Sequence, residues 1–282
     1  MRVHWIFAHP EPASLNGTLM RQGVDELRGQ GHEVEVSDLY AMGWKAVLDA
    51  DDMAPRTNDN ARFLVGAAQE EAQAAGRLSA DIRAEQEKIA RADTLVLQFP
   101  LWWFGPPAIL KGWFDRVLVQ GFAFGLRGAE GQVRRYGDGG LAGKRGLVVT
   151  SVGARESAFG PRGIHGHVDE VLFPVLHGVM WYTGVAAVPP MVVYGADRAT
   201  PADAVEYGQE LRRRLRTLPH TPTLAYRHER GGEYDDDLVL RDHLSPGRLG
   251  LGAHTREDAE TDAHGRAADP RHAGVGVGVL DG

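Results

Sequence analysis

Apolar and polar positions alternate in two different ways along the first 220 residues. Short apolar runs predict five strands, at residues 2–9, 32–40, 94–100, 145–153 and 186–196. Between and after them, the helical spacing of apolar positions predicts helices over residues 18–31, 79–93, 108–119, 168–184 and 200–218. Ser79 and Thr200 are N-cap candidates for two of these helices. Strands that alternate with helices predict an α/β fold with a doubly wound, five-stranded parallel sheet and helices on both faces.

The pattern changes near residue 221. After Arg230 the chain contains no Phe, Trp, Ile, Met or Lys, and Gly, Asp, His and Arg dominate. Such a composition cannot bury enough apolar surface to offset the entropy lost on ordering. We therefore divide the chain into a domain of residues 1–220 and an irregular C-terminal extension of residues 221–282. We expect the extension to lean on the domain and its last part to be disordered.

Composition excludes several classes of protein. The formal net charge of -7 argues against binding to nucleic acid or to an anionic membrane. The chain has no cysteine, which excludes disulfides, thiolate nucleophiles and zinc–cysteine sites. No apolar run is long enough for a membrane span, and the apolar N-terminal run is too short for a secretory signal. These features predict a cytoplasmic protein without membrane insertion.

Three loops follow strand ends, where open parallel sheets bind ligands. The first loop, residues 9–18, offers Ser14, Asn16 and Thr18 together with the free N–H groups of a helix start, a combination that suits a phosphate. A polar loop with an ordinary Ser or Asn cap explains the same residues. The loop is neither a Walker loop nor a G-x-G-x-x-G loop, so it does not indicate a Rossmann dinucleotide site.

The second and third loops add aromatic rings and a histidine. Trp102, Trp103 and Phe104 stand directly before Gly105-Pro106-Pro107, either as core or dimer-interface aromatics or as the wall for a planar ring. In the third loop, residues 150–166, small residues let the backbone approach a ligand closely. His165 is a polar candidate there, although a lone histidine is more often structural. His165 and His167 do not form a metal site, because no further ligand stands at a suitable spacing.

Around these loops the sequence resembles the NAD(P)H quinone reductases of the DT-diaphorase type, a family with a flavodoxin-like fold. The stretches that carry the resemblance are "SDLYAM" at 37–42, "LSADIRAEQEKIARAD" at 78–93, "QFPLWWFGPPAILKGWFDRV" at 98–117, "GIHG" at 163–166 and "TPADA" at 200–204. The resemblance extends over residues 2–218 and more faintly to 254.

The resemblance implies a homodimer that binds FAD, or FMN as in some bacterial relatives. NAD(P)H would reduce the flavin and leave, and a quinone or similar planar acceptor would then take its place, in a ping-pong reaction. Carried over by position, the flavin-binding residues are His9, Ser14, Leu15, Asn16, Pro100, Leu101, Trp103, Phe104, Thr150, Ser151, Gly153 and Asp115. Of these, Asp115 matches an acidic residue that reaches the flavin of the other subunit.

The resemblance also assigns the catalytic positions and the substrate pocket. His165 would stabilise negative charge, and its partner position, a tyrosine in the family, is Phe159 here. The pocket residues are Phe104, Phe124, Leu126 and His165, with Phe124 and Leu126 at positions of family tyrosines. These departures leave an alternative open, a flavodoxin-fold regulatory subunit of a membrane transport system. The choices of NADH or NADPH, of FAD or FMN, and of the natural acceptor also remain open.

Overall fold

A parallel β-sheet lies at the centre of the structure, a computed structural model that describes residues 1–53 and 62–256. Its strands are β1 (Arg2–Phe7), β2 (Glu33–Asp38), β3 (Thr94–Pro100), β4 (Arg145–Ser151), β5 (Ala186–Ala187) and β6 (Met191–Val193). The order is β2-β1-β3-β4-β5, β6 also pairs with β4, and all the pairs are parallel. The predicted fold is confirmed. The fifth strand is split into β5 and β6 around Pro189 and Pro190, which have no N–H to donate to the ladder.

Helices cover both faces of this sheet. They are α1 (Leu15–Gly29), α2 (Val65–Ala74), α3 (Ala80–Arg91), α4 (Ala108–Val117), α5 (Val168–Phe173), the π-helix (Pro174–Trp181) and α6 (Pro201–Thr217). Short 3₁₀ helices occupy Ala50–Met53, Glu156–Phe159, Ala196–Arg198 and Leu251–His254. The apolar sides of α1 and α6 form one core with β1, and those of α3, α4, α5 and the π-helix form the other. Within the described residues, no helix has the length and apolar character that crossing a bilayer requires.

The two expected helix caps have different outcomes. The Thr200 hydroxyl accepts a hydrogen bond from the N–H of Asp203, whose carboxylate accepts one from the N–H of Thr200, so α6 begins with a full capping box. Ser79 precedes α3, but its hydroxyl donates to Asp81 Oδ1 at 2.6 Å and accepts nothing from a helix N–H. Ser79 therefore occupies the predicted N-cap position without forming a cap bond, because the Asp81 carboxylate accepts from the N–H of Ile82 at 2.9 Å in its place.

Helix α4, which follows the second loop, is fixed by buried charge. The Arg116 guanidinium is buried and pairs with Asp52 at 2.8 Å and with Asp81 at 2.7 Å. Gly112 lies so close to the chain before α2 that an added Cβ would stand 1.9 Å from the carbonyl oxygen of Ala46. A shift of α4 would break these contacts, so the second loop enters a rigidly held helix.

The described part of the extension, residues 221–256, lies against the domain. The N–H of Leu224 donates to the carbonyl of Ala187 in β5 at 2.7 Å, and Trp181 Nε1 donates to the carbonyl of Arg227 at 3.0 Å. Tyr226 pairs with Thr255 across an antiparallel bridge, which closes the extension on itself. The expected disorder of the last part concerns residues 257–282, which lie outside the described residues.

Candidate functional site

The three candidate loops meet at one edge of the sheet. The N–H of Leu101 donates to the carbonyl of Ser151 at 2.8 Å, which joins the second loop to the third. The Asn16 amide donates to the Ser151 hydroxyl at 2.8 Å, which joins the first loop to the third. The rings of His9 and Trp102 lie 6.5 Å apart, so the first two loops also approach each other. The structure therefore assembles the predicted loops into one surface.

The aromatic run forms a tight turn. Trp102 and Gly105 exchange two backbone hydrogen bonds of 3.0 Å, and the two residues between them have positive φ, 52° at Trp103 and 60° at Phe104. A two-residue turn of this kind favours Gly, Asn or Asp, and large side chains there are strained. Trp103 is nevertheless 99% exposed, and Phe104 is exposed as well. A strained turn that leaves one aromatic ring almost fully exposed and another more than half exposed gains little from packing within the chain, and therefore indicates a ligand or a partner surface.

This turn also presents unused hydrogen-bond donors. The backbone N–H groups of Trp103 and Phe104 have no acceptor among residues 1–53 and 62–256. The aromatic rings and the free N–H groups of Trp103 and Phe104 together suit a flat ligand with a polar edge. The aromatic side chains of the turn point in different directions. Trp102 is half-exposed and lies beside His9, whereas Trp103 projects into solvent.

The first loop leaves a helix start open. The Ser14 hydroxyl accepts from the N–H of Gly17 at 3.1 Å and lies 3.1 Å from His9 Nδ1. The N–H groups of Leu15 and Asn16 have no acceptor in the described part of the chain. Because α1 runs for 15 residues, its N-terminus combines free donors with a favourable dipole for an anion.

A buried polar chain lies beneath these loops. Trp5 Nε1 donates to Gln98 Oε1 at 2.9 Å, and Gln98 Nε2 donates to the carbonyl of Asn16 at 2.8 Å. This chain continues to Ser151 through the Asn16 amide. It holds the loops in register, and sequence reasoning missed Trp5 and Gln98, although a glutamine inside an apolar strand was a visible signal. Thr150 is buried, and its hydroxyl donates to the carbonyl of Phe99 at 2.8 Å.

His165 stands between two phenylalanine rings. Its ring centroid lies 5.5 Å from that of Phe104 and 5.0 Å from that of Phe159, which is buried. Its ring nitrogens have no hydrogen-bond partner among the residues that the structure describes. His165 is thus oriented by apolar contacts on two sides and has both nitrogens available. The phenol of Tyr194, which was not predicted, lies beyond Phe159, and burial, followed by Glu156 and Asp169, raises its pKa to about 12.

The remaining residues of the third loop and its neighbourhood have structural partners. Gly153 lies against Asp197, where an added Cβ would stand 2.1 Å from a carboxylate oxygen, and its carbonyl accepts from Arg198 at 3.0 Å. His167 Nδ1 accepts from the N–H of Asp169 at 3.3 Å and caps α5. Among the described residues, no cluster of three or more His, Asp or Glu is arranged to hold a metal.

A cavity of about 370 Å³ lies between α4 and the π-helix, and we call it the α4 cavity. It is lined by Leu48, Val65, Gln69, Lys111, Phe114, Asp115, Leu118, Phe124, Gly178, Val179, Tyr182 and Thr183. The predicted pocket residues therefore do not all meet within one chain: Phe104 and His165 contact each other, whereas Phe124 lines the α4 cavity with Asp115. Leu126 lines neither and packs near Gly140. Lys111 pairs with Asp115 at 2.6 Å.

Comparison with known proteins adds a family and named relatives. A family model described as a flavodoxin-like fold matches residues 1–217. A ribosyldihydronicotinamide dehydrogenase-like protein, traD, of Penicillium crustosum is 42% identical over 266 residues, 93% of this chain and 98% of that protein. NAD(P)H dehydrogenase [quinone] 1 of Rattus norvegicus is 35% identical over 213 residues, 76% of each chain.

A solved structure has the same fold over most of its length. It comes from Klebsiella pneumoniae and has been provisionally assigned as a quinone reductase. The two chains share 43% identity with a TM-score of 0.86, over 91% of this chain and 100% of the other. The similarity therefore includes most of the residues beyond the flavodoxin-like region.

Proposed function

The chain belongs to the family of quinone reductases with a flavodoxin-like fold, and from that premise we propose that it is a flavin-dependent NAD(P)H:quinone oxidoreductase. The observation that carries the proposal is the strained aromatic turn at Trp103 and Phe104, which displays two rings and two free N–H groups beside His165. The relatives named above are reductases and dehydrogenases, and none of them favours the regulatory alternative.

The residues present fit a flavin. The open N-terminus of α1, with Ser14, Leu15 and Asn16, suits a phosphate, and His9 stands beside it. Trp103 and Phe104 supply the aromatic wall, and Pro100 and Leu101 continue the same strand end. Ser151 and Gly153 belong to the adjoining strand end, with Thr150 fixing the backbone there. We propose FAD as the cofactor, with FMN as the alternative, and NAD(P)H as the hydride donor.

In this proposal the cofactor and the protein have different roles in the reaction. A bound flavin supplies the two-electron hydride chemistry, from NAD(P)H to a planar acceptor. The N–H groups of Trp103 and Phe104 would donate hydrogen bonds to the polar edge of the flavin ring. A ring nitrogen of His165 donates a hydrogen bond where negative charge develops, which stabilises the transition state. Phe159 orients His165 but has no hydroxyl, so it takes no proton.

We further propose that the acceptor site is completed by a second copy of the chain. In one chain, Phe104 and His165 are separate from Phe124, Asp115 and the α4 cavity, and Trp103 is almost fully exposed. A homodimer that places the α4 cavity of one subunit opposite the aromatic turn of the other would bring these groups together and cover Trp103. The cytoplasmic location and the division at residue 220 stay predictions; the family model ends nearby, at residue 217.

The experiment that tests the function is anaerobic reduction of the purified protein. We expect bound flavin, identified by absorbance and mass, whose band at about 450 nm bleaches on addition of NADPH or NADH and returns with a simple quinone. Fast bleaching reversed by the quinone identifies the donor and supports the oxidoreductase. Bound flavin that neither nucleotide reduces would contradict it and favour the regulatory role.

A further inference from the structure

The π-helix touches two different parts of the molecule. On one side its residues Gly178 and Val179, followed by Tyr182 and Thr183, line the α4 cavity. On the other side His177 and Trp181 contact the C-terminal extension. This short helix therefore lines the α4 cavity on one side and packs against the extension on the other.

Trp181 is the firmest link between the two. It is 6% exposed, its Nε1 donates to the carbonyl of Arg227 at 3.0 Å, and its ring lies 4.6 Å from that of His228 and 6.2 Å from that of Tyr226. His177, one turn earlier, stacks on Phe173 at 4.4 Å and meets Tyr226 edge-on at 5.0 Å. The extension thus fixes one face of the helix through aromatic contacts and a directed hydrogen bond.

Arg227, which accepts the hydrogen bond of Trp181, also contacts several other residues of the extension. Its side chain is buried and ion-paired with Glu233, and its other nitrogens donate to the carbonyl of Ala253 at 3.0 Å and to the hydroxyl of Ser245 at 2.9 Å. Its backbone N–H donates to the carbonyl of His254 at 3.1 Å. The residue that receives the Trp181 hydrogen bond is therefore held from several points along the extension.

A π-helix needs such support. Its backbone geometry is less favourable than that of an α-helix, and π segments occur mostly as short stretches at functional sites. Here the segment has eight residues, and the loop before β4 also ties it, since Gly137 donates to the carbonyl of Trp181 at 2.8 Å and Tyr136 to that of Tyr182 at 3.1 Å. These bonds lie next to the cavity wall. The hydrogen bond from Trp181 to Arg227, which we call the tether, therefore influences the position of the neighbouring Tyr182.

We propose that Trp181 is a positioning residue for acceptor specificity: through its bond to Arg227, the extension sets the separation of the π-helix from α4 and so the size of planar acceptor that the α4 cavity admits. The inference rests on the proposed function and deepens it, because it gives the extension a part in selecting among quinones. Without the hydrogen bond from Trp181 to Arg227, the cavity-lining residues Val179 and Tyr182 can move. Their movement changes the binding of bulky acceptors relative to that of compact ones.

The test is the Trp181→Phe variant of the full-length holoprotein, which keeps an aromatic ring and removes the donor. We measure kcat/KM for menadione, a compact quinone, and for decylubiquinone, a bulky one, each with the same nucleotide. The ratio of the two values should change by about three- to tenfold, the range for one net hydrogen bond, mainly through KM and with unchanged flavin content. A merely structural role lowers the amount of active enzyme and leaves this ratio unmoved.

Two further variants keep the test decisive. Glu233→Gln weakens the hold on Arg227 from a distance and should shift the ratio in the same direction. Trp44→Phe is the matched control, because Trp44 is also 6% exposed and its Nε1 has no partner among the described residues. A phenyl ring keeps an aromatic face for Arg116, which covers the Trp44 ring at 4.6 Å, so this variant should keep the wild-type ratio. An unchanged ratio in Trp181→Phe, or an equal change in Trp44→Phe, would overturn the inference.

Binding without turnover separates this inference from the proposed function. The dissociation constants of both quinones are measured on the oxidised holoprotein without nucleotide. A shifted ratio of these constants in a protein that no nucleotide reduces would support the inference and refute the reductase. Normal wild-type turnover with an unshifted ratio in Trp181→Phe would refute only the inference, and a wild-type protein that binds neither quinone would also overturn it.

Discussion

Two histidines of the third loop, two positions apart, have different surroundings. His165 lies between the rings of Phe104 and Phe159, and its ring nitrogens have no partner in the described ranges. His167 accepts a hydrogen bond from the N–H of Asp169 and caps α5. The first is therefore available to a ligand, whereas the second serves the helix that follows.

Replacing His165 by alanine should cut turnover much more than flavin affinity. We expect kcat to fall by about a hundred- to a thousandfold, because a donor aimed at developing charge is lost, while the Kd for flavin changes far less. Steady-state kinetics and flavin titration of the apoprotein measure the two effects. His167→Ala is the control and should lower stability through the lost cap without a comparable loss of kcat. Equal turnover by wild type and His165→Ala would remove His165 from the mechanism.

At single positions the sequence predicted which residues lie at the site better than how they are held. The unusual run at residues 102–104 was enough to place aromatic rings there, but the positive φ of Trp103 and Phe104 is contrary to the preference of either residue. Tyr194 lies near the site only because β6 ends beside β4, a tertiary relation that no local pattern contains.

Whole elements followed the hydrophobic pattern wherever one face was strongly apolar. Helix α2 was not predicted because its sequence has few large apolar residues, and only Gln69 and Ala72 are buried on it. The helix over 168–184 was predicted as one unit, whereas the structure changes to a π-helix from Pro174 to Trp181. The change begins at Pro174, whose missing N–H interrupts the α-helical hydrogen bonds. Contacts from the extension and from the loop before β4, which periodicity does not record, then hold the far end of the segment.

The capping box of α6 gives a prediction at this scale. Thr200→Ala removes the acceptor for the N–H of Asp203 and the partner of the Asp203 carboxylate, and should destabilise the protein by about 1 kcal/mol. Thr200→Ser keeps the hydroxyl and should retain most of the stability. Urea unfolding followed by circular dichroism gives both values, and equal destabilisation by the two variants would show that the hydroxyl is not what matters.

The whole molecule joins two cores, a buried ionic network and an extension that closes on the π-helix. The sequence predicted the sheet and its helices apart from α2, since burial on both faces leaves long apolar runs in the strands. It did not predict that the pocket residues form two separate groups within one chain. Distances between loops far apart in the sequence depend on how the whole chain folds, and no local pattern contains them. The buried histidines likewise acquire their properties only from the assembled fold.

Stability of the whole molecule should fall as the pH drops from about 6.5 to 4. Burial lowers the pKa of His4, on β1, to about 4, and burial, aided by His254, lowers that of His177 to about 4. Between the unfolded and folded pKa values the unfolded chain binds more protons, so stability is full above the unfolded value and is lost as the pH approaches the folded one.

Below that window the carboxylates continue the decline. Burial raises the pKa of Asp52, but hydrogen bonds from Arg116 and Lys45 outweigh it and leave the pKa below its usual range. Urea unfolding at a series of pH values measures the free energy of unfolding directly. His177→Phe keeps an aromatic ring against Phe173 and Tyr226 and should flatten the slope between pH 6.5 and 4 without removing it, because His4 still titrates. A wild-type profile that stays level down to pH 4 would mean that neither histidine is held neutral by the fold.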